Sequence, residues 1–238
     1  MENTLIIINT MNKAPTNGLT EQQNKMLSMA GTLDIITEAC RLAECNPEMK
    51  VVFYDYAESS DAFWQKFNAD LQTCGLATDK HLSKFFSRKV IYERITQQDY
   101  TKLIISALQK EETDEETENI VLINGSCPMI IGEILDDAFY YLGECDVVLG
   151  GAKKSDLYLL GVHQVPDCLL TDFCWESGSS CNDTADLIKN AGLYPITLDV
   201  LDNIYNYQSL EKLYEKIKQN GFAPNTKDIL QKIFAEMQ

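Results

Sequence analysis

Apolar positions along this chain fall into two alternating patterns. Short, mostly apolar runs bounded by turn residues occur at 4–8, 51–54, 120–123 and 146–149, and each predicts a buried strand. A run at 157–162 and strand-like stretches at 89–92 and 194–200 extend the set. Between them, apolar residues recur every three or four positions. Met26, Met29, Ala30, Leu33, Ile36, Ala39 and Cys40 make one stripe over 21–43; Ile134, Leu135, Ala138, Phe139 and Leu142 make another over 133–142. Similar signals predict helices at 59–74, 96–110, 184–190, 209–219 and 226–237, with Ser59 or Ser60 as a cap and Gly75, Gly192 and Gly221 as stops.

Strands alternating with helices predict an α/β fold of three layers around a mainly parallel sheet. Residues 119–162 are its most legible part, a strand, a helical crossover and a strand. In a parallel sheet that unit places the loop 124–131 outside the carboxyl edge of the strands, where such sheets bind ligands. The turn-rich loop 13–18 (KAPTNG) leaves the first strand toward the same edge.

Length and charge narrow the function. The 238 residues suffice to bury one core, so a single domain over 1–238 is expected, with 220–238 as a helical extension. A net charge of −16 opposes nonspecific nucleic-acid binding, which needs clustered positive charge to release counterions. No apolar stretch is long enough to span a bilayer, and the run at 5–8 has no basic flank; a cytoplasmic protein with no membrane partner is expected. The eight cysteines contain no CxxC pair and are joined by only two histidines, so reduced thiols and no cysteine-held metal are expected, with Cys127 a small packed hydrophobe. Six acids within 111–118 suggest a solvated helix end and linker.

Four blocks, in order, carry a resemblance: KAP followed by Gly18, then VLINGSCP, then VVLGGAKKSDLYLLGV, then Trp175 with Thr184 nine residues on. They resemble a family of bacterial transferase-like proteins related to glycosyltransferases of the GT-A fold, over about Leu5 to Leu213. The resemblance implies a three-layer, Rossmann-like nucleotide-diphospho-sugar transferase architecture. It implies a sugar nucleotide held at the sheet edge by Lys13, Pro15, Gly18, Asn124, Gly125, Ser126, Lys153, Ser155 and Trp175, with a divalent cation commonly bridging the diphosphate.

The departures fall on charged and glycine positions. Where the family has a Lys-Thr-Arg run after the first loop, this chain has Glu21, Gln22 and Gln23. The aspartate of the family's Gly-Ser/Thr-Asp-Cys-Pro is replaced by Ser126, a poor ligand for a hard cation. Its Asp-Gly-Gly-Tyr-Tyr aligns with Lys154, Ser155, Asp156, Leu157 and Tyr158, and its Tyr-Asp-Ile-Asp-Thr with Asp202, Asn203, Ile204, Tyr205 and Asn206. The helix after Gln97 keeps Asp99 but has Thr101 and Leu103 where glycine and arginine stand in the family. No metal site is therefore expected; Mg or Mn returns to the picture only if a two-residue shift puts Asp156 where the family's aspartate sits.

Two function classes follow. In the first, Lys153 or Lys154 supplies as a point charge what the cation would have supplied, and Asp156 acts as a base or holds a sugar hydroxyl; this is metal-independent transfer from a nucleotide-activated donor. In the second the scaffold persists while its ligands have drifted, giving a noncatalytic binding or scaffold protein. Trp175 could stack on a sugar or base ring or serve as a partly buried anchor. His163 has the chemistry of a base but no partner named by sequence, and Ser126 lies in no GxSxG elbow.

Overall fold

The computed structural model describes residues 2–9, 16–76, 80–96, 99–124, 127, 129–130, 132–152, 157–171, 181–201 and 206–236. The strands β1 (Glu2–Ile8), β2 (Lys50–Asp55), β3 (Val90–Arg94), β4 (Thr117–Asn124), β5 (Val147–Gly151), β6 (Leu157–Val162) and β7 (Pro195–Thr197) form, among those residues, one seven-stranded sheet. Its order is β3-β2-β1-β4-β6-β5-β7. Every neighbouring pair is parallel except those made by β6, which runs antiparallel to both β4 and β5.

The predicted unit of strand, helix and strand is therefore correct in direction and incomplete in adjacency. β4 and β5 run the same way, but β6 lies between them, pairing Leu122 with Leu160 on one side and Leu149 with Leu160 on the other. A strand that returns after its neighbour and slots in from the other side leaves no mark in local periodicity.

Side chains alternate across the sheet, as the pleat requires. Leu5, Ile7, Val51, Phe53, Val121 and Ile123 share one core with the helices α1 (Glu21–Cys45), α2 (Ser60–Thr73), α3 (Lys80–Lys89), α5 (Gly132–Leu142), α8 (Tyr207–Asn220) and α9 (Pro224–Glu236). Ile6, Ile8, Val52, Tyr54, Ile120 and Leu122 face the other way, onto α4 (Tyr100–Glu112), α6 (Asp167–Thr171) and α7 (Cys181–Asn190). Strands buried on both faces explain why the apolar runs are continuous rather than alternating.

Local signals set several helix ends. Thr20 caps α1 in a capping box with Gln23, Ser59 caps α2, and Gly221 closes α8 in the left-handed region at φ 74°. Three expectations are corrected. The helix expected from 96 starts at Tyr100, because the Asp99 carboxylate accepts from the Lys102 amide and fixes the boundary there. Helix α3 was not expected at all; its sequence, KHLSKFFSRK, is polar overall, and Phe86 holds it to the core. The acidic run is not simply solvated. Glu111 is 2% exposed and pairs with Lys50 at 2.7 Å, and Lys50 also reaches Asp114 at 2.7 Å.

Candidate functional site

The parallel strands β1, β2 and β4 end level with one another: Ile8 pairs with Tyr54 on one side and Asn124 on the other. Each apolar run then gives way to a polar residue, Asn9 after β1, Asp55 closing β2 and Asn124 closing β4. These three line the carboxyl edge of the sheet. Asn9 is 1% exposed and Asp55 7%, so the polar groups are built into the protein rather than laid on its surface.

Their contacts define one another. The Asn9 Nδ2 donates to Asp55 Oδ2 at 2.6 Å, and the Asn9 amide N–H donates to the Tyr54 carbonyl at 2.9 Å. Asp55 Oδ1 accepts from the Ala57 amide at 2.8 Å and from the Tyr92 hydroxyl at 3.3 Å. Burial first, and the Asp55 charge second, push the Tyr92 phenol far above its ordinary range, so it stays a donor. Because the amide nitrogen of Asn9 is committed to a carboxylate, its orientation is determined. The Asn9 Oδ1 is buried and has no hydrogen-bond partner among the described residues.

Of the residues expected from sequence, Gly18 and Asn124 are among those described. Gly18 sits at φ +94°, a conformation that favours glycine, in the turn closed by the Leu19 N–H on the Thr16 carbonyl. The Asn24 Oδ1 accepts from the Thr16 amide at 2.7 Å and ties that turn to α1. Asn17 forms a parallel bridge with Asn206, which brings the first loop against the N-cap of α8 although 189 positions separate them in sequence. Lys13, Pro15, Gly125, Ser126, Lys153, Lys154, Ser155, Asp156 and Trp175 lie outside the described residues.

Two further positions have structural explanations. A Cβ on Gly150 would stand 2.5 Å from the ring of Tyr158, whose hydroxyl donates to the Asp199 carbonyl at 3.1 Å. A Cβ on Gly151 would meet Cys181 at 2.7 Å. These glycines make room for protein side chains beside the sheet edge. His163 is at the other end: β6 is antiparallel, Val162 pairs with Ile120, and the His163 Nδ1 lies 3.2 Å from Asn119 Oδ1. It is remote from Asn9, Asp55 and Asn124.

The described edge does not fit a divalent cation. At the ends of β1, β2 and β4 the carboxylate is Asp55, and its oxygens already accept from Asn9, Ala57 and Tyr92. Among the described residues no three His, Cys, Asp or Glu side chains gather to hold a metal. Asn9 and Asp55 were not anticipated; the available signal was the first polar residue after each strand's apolar run.

No protein-family profile matches the chain, and no curated protein matches it in sequence. Solved structures do match. A candidate nucleotide-diphospho-sugar transferase from Desulfovibrio desulfuricans G20 superposes with a TM-score of 0.74 at 17% identity, covering 99% of this chain and 96% of its own. A cytidylyltransferase from Leptospira borgpetersenii serovar Hardjo-bovis (strain JB197) scores 0.49 at 13% identity, over 99% of this chain and 95% of its own. A CMP:2-keto-3-deoxy-manno-octonic acid synthetase complexed with CTP scores 0.45 at 12% identity, over 92% and 99%. The first establishes the fold, the nucleotide-diphospho-sugar transferase architecture expected from the sequence blocks, and leaves the chemistry to this chain's own residues.

Proposed function

We propose that the chain binds a nucleotide-activated donor, of the nucleotide-sugar class, at the carboxyl edge of β1, β2 and β4, and transfers from it without a metal ion. The observation that supports the reading is the buried Asn9–Asp55 pair, whose Asn9 Oδ1 has no partner among the described residues and lies at the edge where sheets of this type take ligands. In this reading Lys154, aided by Lys153, neutralises the diphosphate as it leaves with the bonding electron pair, and Asp156 accepts the proton of the incoming hydroxyl.

A second reading rests on a specific feature of the same edge. Asp55 accepts from three neutral donors, the Asn9 side chain, the Ala57 amide and the Tyr92 hydroxyl, which in this reading hold it as an anchor. A protein that binds the donor and does not turn it over needs no more than that.

The experiment is a thermal-shift screen with UDP-, GDP-, CDP- and ADP-sugars, each with and without Mg²⁺ or Mn²⁺, because a ligand of the native state raises the midpoint. A metal-independent shift lost in Asn9→Ala supports donor binding at the edge. Donor consumption abolished by Lys154→Ala then supports transfer, and binding without consumption selects the noncatalytic reading. A shift that requires metal overturns the metal-free proposal, and no shift with any donor overturns donor binding itself.

A further inference from the structure

Away from the sheet edge, α2 and α3 flank an open groove of about 370 Å³ lined by Asp61, Trp64, Gln65, Asn68, Ser83, Lys84 and Arg88. Asp61, Trp64, Gln65 and Asn68 recur at helical spacing along one side of α2, a stripe about 10 Å long at 1.5 Å per residue. Lys84 and Arg88 stand one turn apart on α3.

The charge of α3 is out of keeping with the chain. Its ten residues hold Lys80, Lys84, Arg88 and Lys89, four of the twenty basic residues, and no acid, in a protein of net charge −16. Both Lys84 and Arg88 are exposed, and neither has a carboxylate partner among the described residues. In a protein with 36 acids, two adjacent cations unpaired among the described residues are available to an outside anion.

Trp64 adds an independent observation. It is 5% exposed and held by aromatic contacts to Phe63, Phe67 and Phe86 at centroid distances of 5.4, 5.7 and 5.1 Å. The indole Nε1, its one polar side-chain atom, is buried with no acceptor among the described residues. A buried donor without an acceptor is uncommon in native proteins.

We infer that the α2–α3 groove is a second binding site, for a small phosphate ester that carries hydroxyl groups, of the sugar-phosphate class. The phosphate oxygens match the Lys84 ammonium and the planar guanidinium of Arg88. Asp61, the carboxylate among the described lining residues, accepts from ligand hydroxyls, and the Gln65 amide can serve as donor or acceptor. The groove has the size of small-molecule sites, and its length suits one sugar ring with a phosphate. The inference does not depend on the donor site at the sheet edge.

The chain has two tryptophans, so Trp175→Phe leaves Trp64 as the only indole, and its emission reports on the groove. Titration of that variant with glucose-6-phosphate at low salt is expected to change the emission saturably, and glucose alone is expected to do nothing. Adding Lys84→Ala and Arg88→Ala, both exposed and checked for folding by circular dichroism, is expected to weaken binding by at least about tenfold. Asp61→Asn is expected to weaken binding of the ester and not of inorganic phosphate, and Asn9→Ala to leave binding intact, separating this site from the sheet edge. The proposal is overturned by no emission change up to about 10 mM ester, by a change that survives the double substitution, or by inorganic phosphate binding as tightly as the ester.

Discussion

The Asp34 carboxylate, in the middle of α1, accepts both the amide N–H of Thr226 at 2.8 Å and its hydroxyl at 2.7 Å, 192 residues along the chain. Asn225 adds its amide at 3.1 Å and its side-chain nitrogen at 2.8 Å. A helix N-terminus leaves its first N–H groups without partners, and α9 begins at Pro224, so Asp34 caps α9 from another helix. Ile229, Leu230 and Ile233 then bury in the core that α1 shares with the sheet.

Asp34→Ala removes that cap and leaves buried donors unpaired. It is expected to cost about 2–3 kcal/mol, measured by urea unfolding. Selective loss of hydrogen-exchange protection in 224–236 would place the damage in α9.

The same carboxylate sets a pH dependence. Burial, the larger influence, raises the Asp34 pKa above its usual 3.8, against the hydrogen bonds from Thr226 and Asn225. The native state thus holds this proton more tightly than the unfolded chain does. Its contribution is fully present below 3.8 and declines as pH rises through the native value. The stability of the protein relative to Asp34→Asn should fall over that window; a rise would contradict the assignment.

Lys50 carries the opposite sign for its partner. Burial lowers its pKa, but the bonds to Asp114 and Glu111 outweigh that and raise it, while Lys50 holds Asp114 below 3.8. The Asp114 contribution is present above 3.8 and is lost as pH falls through the depressed value. Lys50→Met strands the buried Glu111 charge, for an expected loss of about 2–4 kcal/mol at neutral pH. The variant should also show a flatter stability profile in acid.

Gly150→Ala forces a Cβ against the Tyr158 ring, which is 3% exposed and cannot swing out. Overpacking of this kind costs about 1–3 kcal/mol, and the thermal midpoint should fall accordingly. An unchanged midpoint would mean that the ring has room to yield.

Thiol reactivity should divide by burial. Cys45 is exposed, whereas Cys40, Cys74 and Cys127 are buried, and burial first, with Glu44 second, pushes the Cys40 thiol up to about 12. Iodoacetamide at mildly alkaline pH should alkylate Cys45 in the folded protein and leave Cys40, Cys74 and Cys127 unmodified until denaturant is added, as read by peptide mass mapping.

What could be read from the chain by itself was local. The apolar runs at 5–8, 51–54 and 120–123 marked strands buried on both faces, the stripes at 21–43 and 133–142 marked helices, and Ser59 and Gly221 marked ends, because each depends on neighbours within a few residues. Gly18 was legible on the same basis in the loop after the first strand, whereas Asn124, expected to open a loop, closes β4. Only the tertiary structure decided that β6 enters between β4 and β5, that Asp34 caps α9, that Glu111 is buried against Lys50, and that Asn9 and Asp55 pair at the sheet edge. Each of these joins groups tens to nearly two hundred residues apart. Their partners are chosen by the packing of whole layers, and no periodicity along the chain encodes that choice.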